Sequence, residues 1–229
     1  MYSHFFKRLL DIILSGLALV VLSPVLLILT ILVRMKLGSP VIFKQRRPGR
    51  IDKKTGRERI FTLFKFRSMT DARDSEGNLL PDDVRLTRFG KILRSTSLDE
   101  LPELINIFKG DMSIVGPRPQ LVKDLVFMSD EIRRRHTVRP GLTGLAQAKG
   151  RNGISWDEKF KYDLEYVSHI SFINDVKIIF LTVASVLKRE GITEEGSETA
   201  TDFGDWLLSD GKIDISTYKR NLSIMKDWL

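Results

Sequence analysis

The chain has 229 residues, of which 42% are hydrophobic, so it can bury one modest core and is not a disordered protein. It contains no cysteine, which excludes disulfides and thiolate metal sites, and its three histidines are too scattered for a zinc motif. The net charge of +8 and the pI of about 9.7 favour anionic partners such as nucleic acid, anionic lipid or phosphorylated substrates.

An apolar segment without a charged residue occupies residues 12–33. About 20 helical residues cross a bilayer core of about 30 Å, so one interpretation is a simple transmembrane span. The other is a re-entrant hairpin that breaks at Ser23 and Pro24, because proline removes a helix hydrogen bond and bends the chain. Lysine and arginine flank both ends, and such flanks mark the cytoplasmic side. The residues alone leave the two interpretations equally open.

Short strands and then helices follow the apolar segment. Period-two alternation predicts strands at residues 41–45 and 60–69, joined by a basic loop and followed by an exposed polar excursion at 71–83. Apolar spacing predicts helices at residues 84–94, 101–108, 121–138, 156–167 and 172–188, whereas 114–119 and 139–153 are predicted as loops. This order predicts a helix-dominated α+β fold with an N-terminal membrane helix-break-helix, a short β-hairpin and amphipathic helices at the membrane surface.

Charge divides the chain unequally. Residues 190–229 contain nine acidic and four basic side chains, so their net charge is −5, and the preceding residues carry +13. We therefore divide the chain into a membrane anchor at 1–36, a body at 37–189 and an acidic C-terminal extension at 190–229. The part of the extension beyond about Glu195 is expected not to be catalytic, and either to dock on the basic body or to guide a partner.

Asp99 and Glu100 form the strongest local feature. Pro102 is tolerated only in the first turn of a helix, so a helix is predicted to begin near Asp99. Carboxylates at that position stabilise a helix start through the dipole or as caps. Alternatively, one carboxylate attacks phosphorus to form an acyl phosphate while its neighbour holds Mg²⁺. A capping box between Ser97 and Glu100 is not expected, because it would put Pro102 too deep in the helix.

Several basic side chains could neutralise phosphates near this pair, although each alone is more often a solvated surface residue. They are Lys65, Arg67, Arg94 and Arg118. Prolines stiffen the chain on both sides of Arg118, so this side chain is presented with little freedom to lose. A second stiff, glycine-bearing loop begins at Arg139. The alternative interpretation of this loop is a simple turn between helices. The arginines at 133–135 are predicted to form a solvated or lipid-headgroup-facing patch.

These motifs together resemble the bacterial sugar transferase family, the monotopic phosphoglycosyl transferases, and especially its small single-domain members. The resemblance runs from about Tyr2 to about Thr193 and includes the break at Ser23-Pro24. It is also carried by Lys65-Phe66-Arg67-Ser68-Met69, by Arg94-Ser95-Thr96-Ser97-Leu98-Asp99-Glu100-Leu101-Pro102, by Lys109-Gly110-Asp111-Met112-Ser113, by Gly116-Pro117-Arg118-Pro119 and by Arg139-Pro140-Gly141-Leu142-Thr143-Gly144. Several ordered motifs over most of a chain are more specific than any one of them.

The resemblance implies a phosphoglycosyl transferase that moves a sugar 1-phosphate from a UDP-sugar to undecaprenyl phosphate, or another polyprenyl phosphate, and releases UMP. It implies a re-entrant membrane segment, so that residues 37–189 form a catalytic domain on the cytoplasmic face of the bacterial inner (plasma) membrane. Such a transfer is the first membrane step of glycoconjugate or polysaccharide biosynthesis. The expected partners are therefore the two substrates, the lipid bilayer and downstream glycosyltransferases, and not nucleic acid.

The resemblance also implies roles for individual residues. Asp99 is the nucleophile that forms a covalent aspartyl-phosphosugar intermediate, and Glu100 is the ligand of a Mg²⁺ cofactor. The implied or candidate substrate-binding residues are Arg118, which contacts the nucleotide sugar, Lys65 and Arg94 in or near the pocket, and Arg67 and Arg139.

Two other functions remain open from the residues. A membrane-tethered basic protein that binds anionic lipid or nucleic acid would account for the charge, but it leaves the Asp99–Glu100 pair unexplained. A phosphatase would use the same aspartate with water as the second acceptor. The sequence does not identify the sugar that would be transferred.

Overall fold

The computed structural model describes residues 2–150, 153–188 and 201–225, which form a helix-dominated α+β fold with one β-hairpin. The helices are α1 Lys7–Val21, α2 Ser23–Leu37, α3 Asp82–Arg85, α4 Arg88–Ser95, α5 Glu103–Lys109, α6 Asp130–Arg133, α7 Leu145–Gly150, α8 Trp156–Ser168, α9 Phe172–Lys188, α10 Phe203–Ser209 and α11 Ile215–Ile224. The strands are β1 Ile42–Ile51, β2 Glu58–Phe66, β3 Ser113–Val115 and β4 Gly141–Thr143. A π-helical turn covers Tyr2–Phe6, and 3₁₀ turns cover Leu98–Glu100, Val122–Phe127 and Arg134–Thr137.

Helices α1 and α2 meet at a sharp bend of 63°. Pro24 occupies the first turn of α2, where its missing N–H costs no hydrogen bond, and the Ser23 hydroxyl donates to the Val20 carbonyl at 2.8 Å. The break predicted at Ser23 and Pro24 is therefore confirmed. Among the described helices, none alone is long and apolar enough to cross a bilayer, whereas α1 and α2 together have the length and composition of a broken span or a re-entrant segment.

Polar contacts attach the start of α1 to the rest of the protein. Lys7 Nζ lies 2.6 Å from Asp175 Oδ2 on α9. The Arg8 guanidinium donates to two carbonyls at the end of α5, at 2.6 and 2.8 Å. Asp11 is buried, and its Oδ1 accepts a hydrogen bond from the backbone N–H of Ile114 in β3, at 2.9 Å. Because these groups pair across long sequence separations, α1 is part of the folded body.

Apolar contacts continue this attachment along both helices. The inner face of α2 contributes the buried Leu29 and Val33, which pack with Phe66 of β2. The later residues of α1 pack against a second cluster centred on Ile107 of α5. The outer faces remain apolar and exposed, and Val20 reaches 72% exposure. An exposed apolar surface of this extent is typical of a membrane or protein contact.

Strands β1 and β2 pair antiparallel, with Ile42 opposite Phe66. The predicted basic loop was too long, because β1 continues to Ile51 and leaves only a short turn before β2. Pro48 and the glycine after it indicated a loop, but they mark an irregularity in the ladder before Ile51 instead. Such an irregularity tolerates a residue without an N–H donor. The second strand ends at Phe66, three residues earlier than predicted.

Four further sequence predictions need correction. The helix predicted at 121–138 consists of a 3₁₀ turn, the short helix α6 and another 3₁₀ turn. The segment is not one continuous helix because Ser129 is the N-cap of α6, so a new helix begins there. The helix predicted at 84–94 is divided between α3 and α4. The predicted loops at 114–119 and 139–153 contain the parallel pair β3–β4 and helix α7. The exposed excursion at 71–83 and the helices α8 and α9 are confirmed.

The described part of the C-terminal extension docks on the body. Phe203 of α10 is buried in an aromatic cluster with Trp156 and Phe160 of α8. Lys123 adds ion pairs to Asp202 and Asp205, at 2.7 and 3.1 Å. The docking alternative is thus confirmed for residues 201–225, whereas the proposed boundary at 189–190 and Glu195 lie outside the described residues.

Candidate active site

The 3₁₀ turn Leu98–Glu100 and helix α5 present three carboxylates to one region. Ser97 adopts a left-handed conformation (φ 56°) between α4 and the turn, and its side chain does not cap the turn, as expected. Pro102 immediately precedes α5, so its missing N–H costs nothing. The helix predicted to begin near Asp99 therefore begins as a 3₁₀ turn, and the α-helix follows.

Asp99 is almost buried, with 8% of its surface exposed. Burial raises the pKa of its carboxyl to about 6, and the neighbouring Glu100 charge adds to this effect. The positive charges of Lys65, Arg118 and Arg94 oppose the shift. Within the described part of the chain, no side chain donates a hydrogen bond to the Asp99 carboxylate. The arrangement leaves a carboxylate that is surrounded by cations but not engaged by them.

Glu100 is the carboxylate that the cations engage directly. Its Oε1 accepts hydrogen bonds from Lys65 Nζ at 2.7 Å and from Arg118 Nη2 at 2.6 Å. Burial alone would raise the pKa of Glu100, but Arg118 and Lys65 hold it well below its usual range. Glu100 is therefore ionised at any physiological pH, and it joins strand β2 to the loop that carries Arg118.

A third carboxylate, Glu103, was not identified from the sequence. It is 2% exposed, and its Oε1 lies 3.2 Å from Lys65 Nζ. Burial raises the pKa of Glu103 to about 7, against the lowering effect of Lys65. The available signal was its spacing, because residues three and four apart lie on one face of a helical segment, and Glu103 follows Asp99 and Glu100 at those intervals.

The loop that carries Arg118 is held by two arginines that the sequence did not assign to the site. Arg47 donates to the carbonyl of Pro119 at 3.1 Å, and Arg135 donates to the carbonyl of Arg118. Arg135 is itself buried, with 1% exposure, and pairs with Asp163 at 2.7 Å. The prediction of a solvated or headgroup-facing patch at 133–135 is therefore wrong for Arg135. Charge neutralisation by Asp163 makes its burial possible.

The two stiff loops of the sequence lie against each other. Gly116 N donates to the Thr143 carbonyl at 2.8 Å, and Gly141 N donates to the Pro117 carbonyl at 3.0 Å. A Cβ atom on Gly116 would lie 2.5 Å from the carbonyl oxygen of Arg139, so only glycine allows this backbone approach. The second loop thus supports the first from behind.

The structure gathers Lys65, Arg94 and Arg118 around Asp99, with Arg94 also donating to Ser68 Oγ at 3.0 Å. It does not bring Arg67 or Arg139 to this cluster. Strand β2 ends before Arg67, whose guanidinium turns to backbone carbonyls and to the following acidic segment. Arg139 instead donates to a carbonyl at the end of α5. Substrate binding by these two residues stays a prediction that their contacts do not support.

The acidic pair has the donor chemistry that Mg²⁺ requires. No cluster of three or more His, Cys, Asp or Glu side chains in the described residues is arranged to hold a metal ion. Mg²⁺ usually needs only one or two carboxylates, and takes its other ligands from water and substrate phosphates. Asp99 accepts no hydrogen bond from described side chains, and both cations on Glu100 contact the same oxygen. The pair therefore fits a metal that is shared with a phosphate substrate.

The family model described as "Bacterial sugar transferase" matches residues 2–189. The chain belongs to the bacterial sugar transferase family. The matched range includes the bent helix pair and every residue of the Asp99 cluster. The described part of the extension, at 201–225, lies beyond it.

Three relatives illustrate the family. The "Uncharacterized sugar transferase EpsL" of Bacillus subtilis (strain 168) is 51% identical over 197 residues, which are 86% of this chain and 95% of that protein. The "UDP-glucose:undecaprenyl-phosphate glucose-1-phosphate transferase" of Klebsiella pneumoniae is 44% identical over 188 residues, 78% of this chain and 39% of the relative. The "Undecaprenyl-phosphate galactose phosphotransferase" of Salmonella typhimurium (strain LT2) is 36% identical over 206 residues, which are 82% of this chain and 42% of that protein. The chain thus spans about two fifths of each of the latter two.

Proposed function

We propose that this chain transfers a sugar 1-phosphate from a UDP-sugar to undecaprenyl phosphate, or a similar polyprenyl phosphate, and releases UMP. The observation that carries the proposal is the Asp99 carboxylate, which is nearly buried, ringed by Lys65, Arg94 and Arg118, and free of hydrogen bonds from described side chains. The names of the Klebsiella and Salmonella relatives support the same reaction class. In this proposal the reaction is the first membrane step of glycoconjugate biosynthesis, before downstream glycosyltransferases act.

The proposed chemistry has two steps at one phosphorus atom. An Asp99 oxygen attacks the phosphorus that carries the sugar, the bond from that phosphorus to the UMP oxygen breaks, and UMP leaves with the electron pair. The acceptor's phosphate oxygen then attacks the same phosphorus and displaces the Asp99 carboxylate. The enzyme thereby returns to its first state, and a soluble donor and a membrane-bound acceptor never need to meet.

The cations stabilise the charge that moves in these steps. Lys65 and Arg118 are fixed by Glu100, so their N–H groups are oriented before substrate arrives. Arg118 can bind phosphate oxygens in a two-pronged geometry, and its loop is rigid because of the flanking prolines and the support from Arg135. Catalysis of phosphoryl transfer depends mainly on such positioning and electrostatic stabilisation.

Glu100 would hold Mg²⁺ when it is bound. The metal would supply positive charge to the pyrophosphate oxygens of the donor. Glu100 keeps its negative charge over the physiological range because Arg118 and Lys65 lower its pKa. Glu100 can therefore bind the two cations and the metal at the same time. The buried Glu103 contacts Lys65 from the interior of the protein.

We further propose that α1 and α2 form a re-entrant hairpin at the cytoplasmic face of the bacterial inner membrane. The support is the bend of 63°, the basic residues at both ends and the exposed apolar outer face of the pair. Exposed apolar side chains on neighbouring helices, such as Ile105, Phe108 and Phe180, would lie at the same membrane surface. This arrangement keeps both termini of the hairpin, and the catalytic body, on one side.

The decisive experiment mixes enzyme and UDP-sugar donors without lipid acceptor. We expect a burst of UMP that approaches one per active site, and an added sugar-phosphate mass on the peptide that contains Asp99. Asp99→Asn should bind donor but lose nearly all turnover, and Glu100→Gln should lose activity that added Mg²⁺ partly restores. The matched control is Asp83→Asn, the same change at an exposed acid. Release of UDP, or UMP release only when both substrates are present, would contradict the covalent mechanism.

A further inference from the structure

A basic pocket lies on the hairpin β1–β2, separate from the Asp99 cluster. We define this basic pocket by Arg50, Arg59 and Arg139, which line a cavity of about 120 Å³. The backbone of Gly110 forms part of its wall. An adjoining groove of about 380 Å³ shares Arg59 and adds Lys44 on β1. The two hollows together form one concave, cationic surface.

Two of the three arginines of the basic pocket have no partner among the described side chains. Arg50 and Arg59 are exposed, and neither forms an ion pair or a side-chain hydrogen bond with any described residue. Burial lowers the pKa of Arg139, and the neighbouring charges of Arg50 and Arg8 lower it further. Guanidinium groups that repel each other around a hollow create a favourable site for an anion.

Two carboxylates, Asp52 and Asp111, also line the basic pocket, and each has a partner other than its arginines. Asp52 closes the hairpin turn, where its Oδ1 accepts from the backbone N–H of Lys54 at 2.7 Å. Asp111 lies 3.8 Å from Lys109 Nζ, which forms the edge of the adjoining groove. The excess of positive charge therefore remains with the three arginines.

The position of the basic pocket relates it to the membrane segment. Its wall at Gly110 touches Arg8, since a Cβ atom on Gly110 would lie 3.0 Å from Arg8 Nη2. Arg8 belongs to the first turn of α1, at the entrance of the proposed hairpin. The neighbouring Phe108 exposes its ring beside Gly16 of the same helix. A group bound in the basic pocket would thus lie at the depth of lipid headgroups.

We propose that the basic pocket binds the phosphate of an anionic phospholipid headgroup; this inference rests on the proposed hairpin. The acceptor lipid is the other membrane phosphate, but its phosphate must reach Asp99. The residues that line the basic pocket include none of Lys65, Asp99, Glu100 and Arg118. The basic pocket is therefore a second anion site, separate from the Asp99 cluster, that fixes the body against the membrane surface.

The test uses the full chain in uncharged detergent micelles and measures bound lipid by native mass spectrometry. The probes are dioctanoyl phosphatidylglycerol, dioctanoyl phosphatidylcholine, a short-chain polyprenyl phosphate, inorganic phosphate and UMP. We expect phosphatidylglycerol to bind, and the double variant Arg50→Gln/Arg59→Gln to weaken that binding about tenfold or more, because charge-assisted hydrogen bonds are lost. The matched control Lys53→Gln/Lys54→Gln removes two charges from the exposed turn of the same hairpin and should change binding less than about twofold.

The outcomes separate this inference from the proposed function. Equal weakening in the control would show general electrostatic attraction, and would overturn the basic pocket as a site. Preferential binding of polyprenyl phosphate, or competition by phosphate or UMP at the same concentration as the lipid, would overturn the headgroup as its ligand. UMP release from the donor is measured on the same preparations. Intact UMP release with no phosphatidylglycerol binding refutes only the basic pocket, whereas lipid binding without UMP release refutes only the transferase.

Discussion

Lowering the pH should destabilise the protein through one buried histidine, His136. Its side chain is 3% exposed, and burial lowers its pKa to about 4, although the hydrogen bond to Glu58 at 3.0 Å acts in the opposite direction. The unfolded chain has a histidine pKa of about 6.5, so it binds the proton more tightly than the folded chain. The contribution to stability is therefore complete above about pH 6.5 and is lost as the pH falls towards 4.

The size of this loss follows from the two pKa values. A difference of about 2.5 pKa units corresponds to about 3 kcal/mol in full, and about 2 kcal/mol of it is lost between pH 7 and pH 5. Glu58 adds nothing in that window, because its partners His136 and Arg133 overcome burial and hold its pKa at about 2. Carboxyls with raised pKa values, such as Asp99 and Glu103, change stability in the opposite direction as they take up protons.

The assay compares thermal unfolding of the full chain and of His136→Gln in uncharged detergent at both pH values. Because the other groups titrate in both proteins, the difference between the two pH responses isolates His136. Between pH 7 and pH 5, we expect the full chain to lose about 2 kcal/mol more unfolding free energy than His136→Gln loses. For a protein of this size, that difference lowers Tm by roughly 4–8 °C. The matched control His169→Gln, at an exposed position, should keep the response of the unchanged chain. Identical responses in the chain and in His136→Gln would refute the reasoning.

Three further predictions concern the bent helix pair α1–α2, the C-terminal extension and the strand β2. Cysteines introduced at Ser3 or Ser39 should resist an impermeant maleimide added to intact cells. Adding Pro24→Leu should straighten the helix pair and make the cysteine at position 3 reactive. Labelling of Ser3→Cys without Pro24→Leu would show a transmembrane span instead of a re-entrant hairpin. Phe203→Ala empties a buried aromatic position and should cost about 3–5 kcal/mol in denaturant unfolding, and no loss would mean that the extension does not dock. Asn106→Ala removes buried hydrogen bonds to β2 and should cost about 1–3 kcal/mol by the same assay, so an unchanged midpoint would contradict it.

The sequence predicted well where a feature depends on local chemistry. Pro24 breaks the apolar segment because proline cannot continue a helix, and that rule needs no tertiary context. Asp99 and Glu100 were identified because a helix start and a proline fix where two adjacent acids lie. The helices α8 and α9 were also predicted closely, since each carries a continuous pattern and α8 begins with a capping box at Ser155.

The failures come from contacts between distant parts of the chain. Arg135 looked solvated in a run of three arginines, but Asp163, 28 positions later, neutralises it in the interior. Leu104, Ile105 and Phe108 have the spacing of one apolar helix face, but Leu104 is buried whereas Ile105 and Phe108 are exposed. Apolar spacing reports a face but does not distinguish a protein core from a membrane surface. The packing of α1 and of β2 against α5 determines which sides of that helix are covered.

The attachment of α1 to the body has a practical consequence for anyone who wants to shorten this enzyme at its N-terminus. Removing residues 1–36 would take away the lysine partner of Asp175 and the arginine that binds the end of α5. It would also uncover Ile107 and the apolar surface that α2 protects around Phe66. The first 36 residues cannot be treated as a detachable tag, and a water-soluble derivative would have to keep both helices and change only their outward-facing side chains.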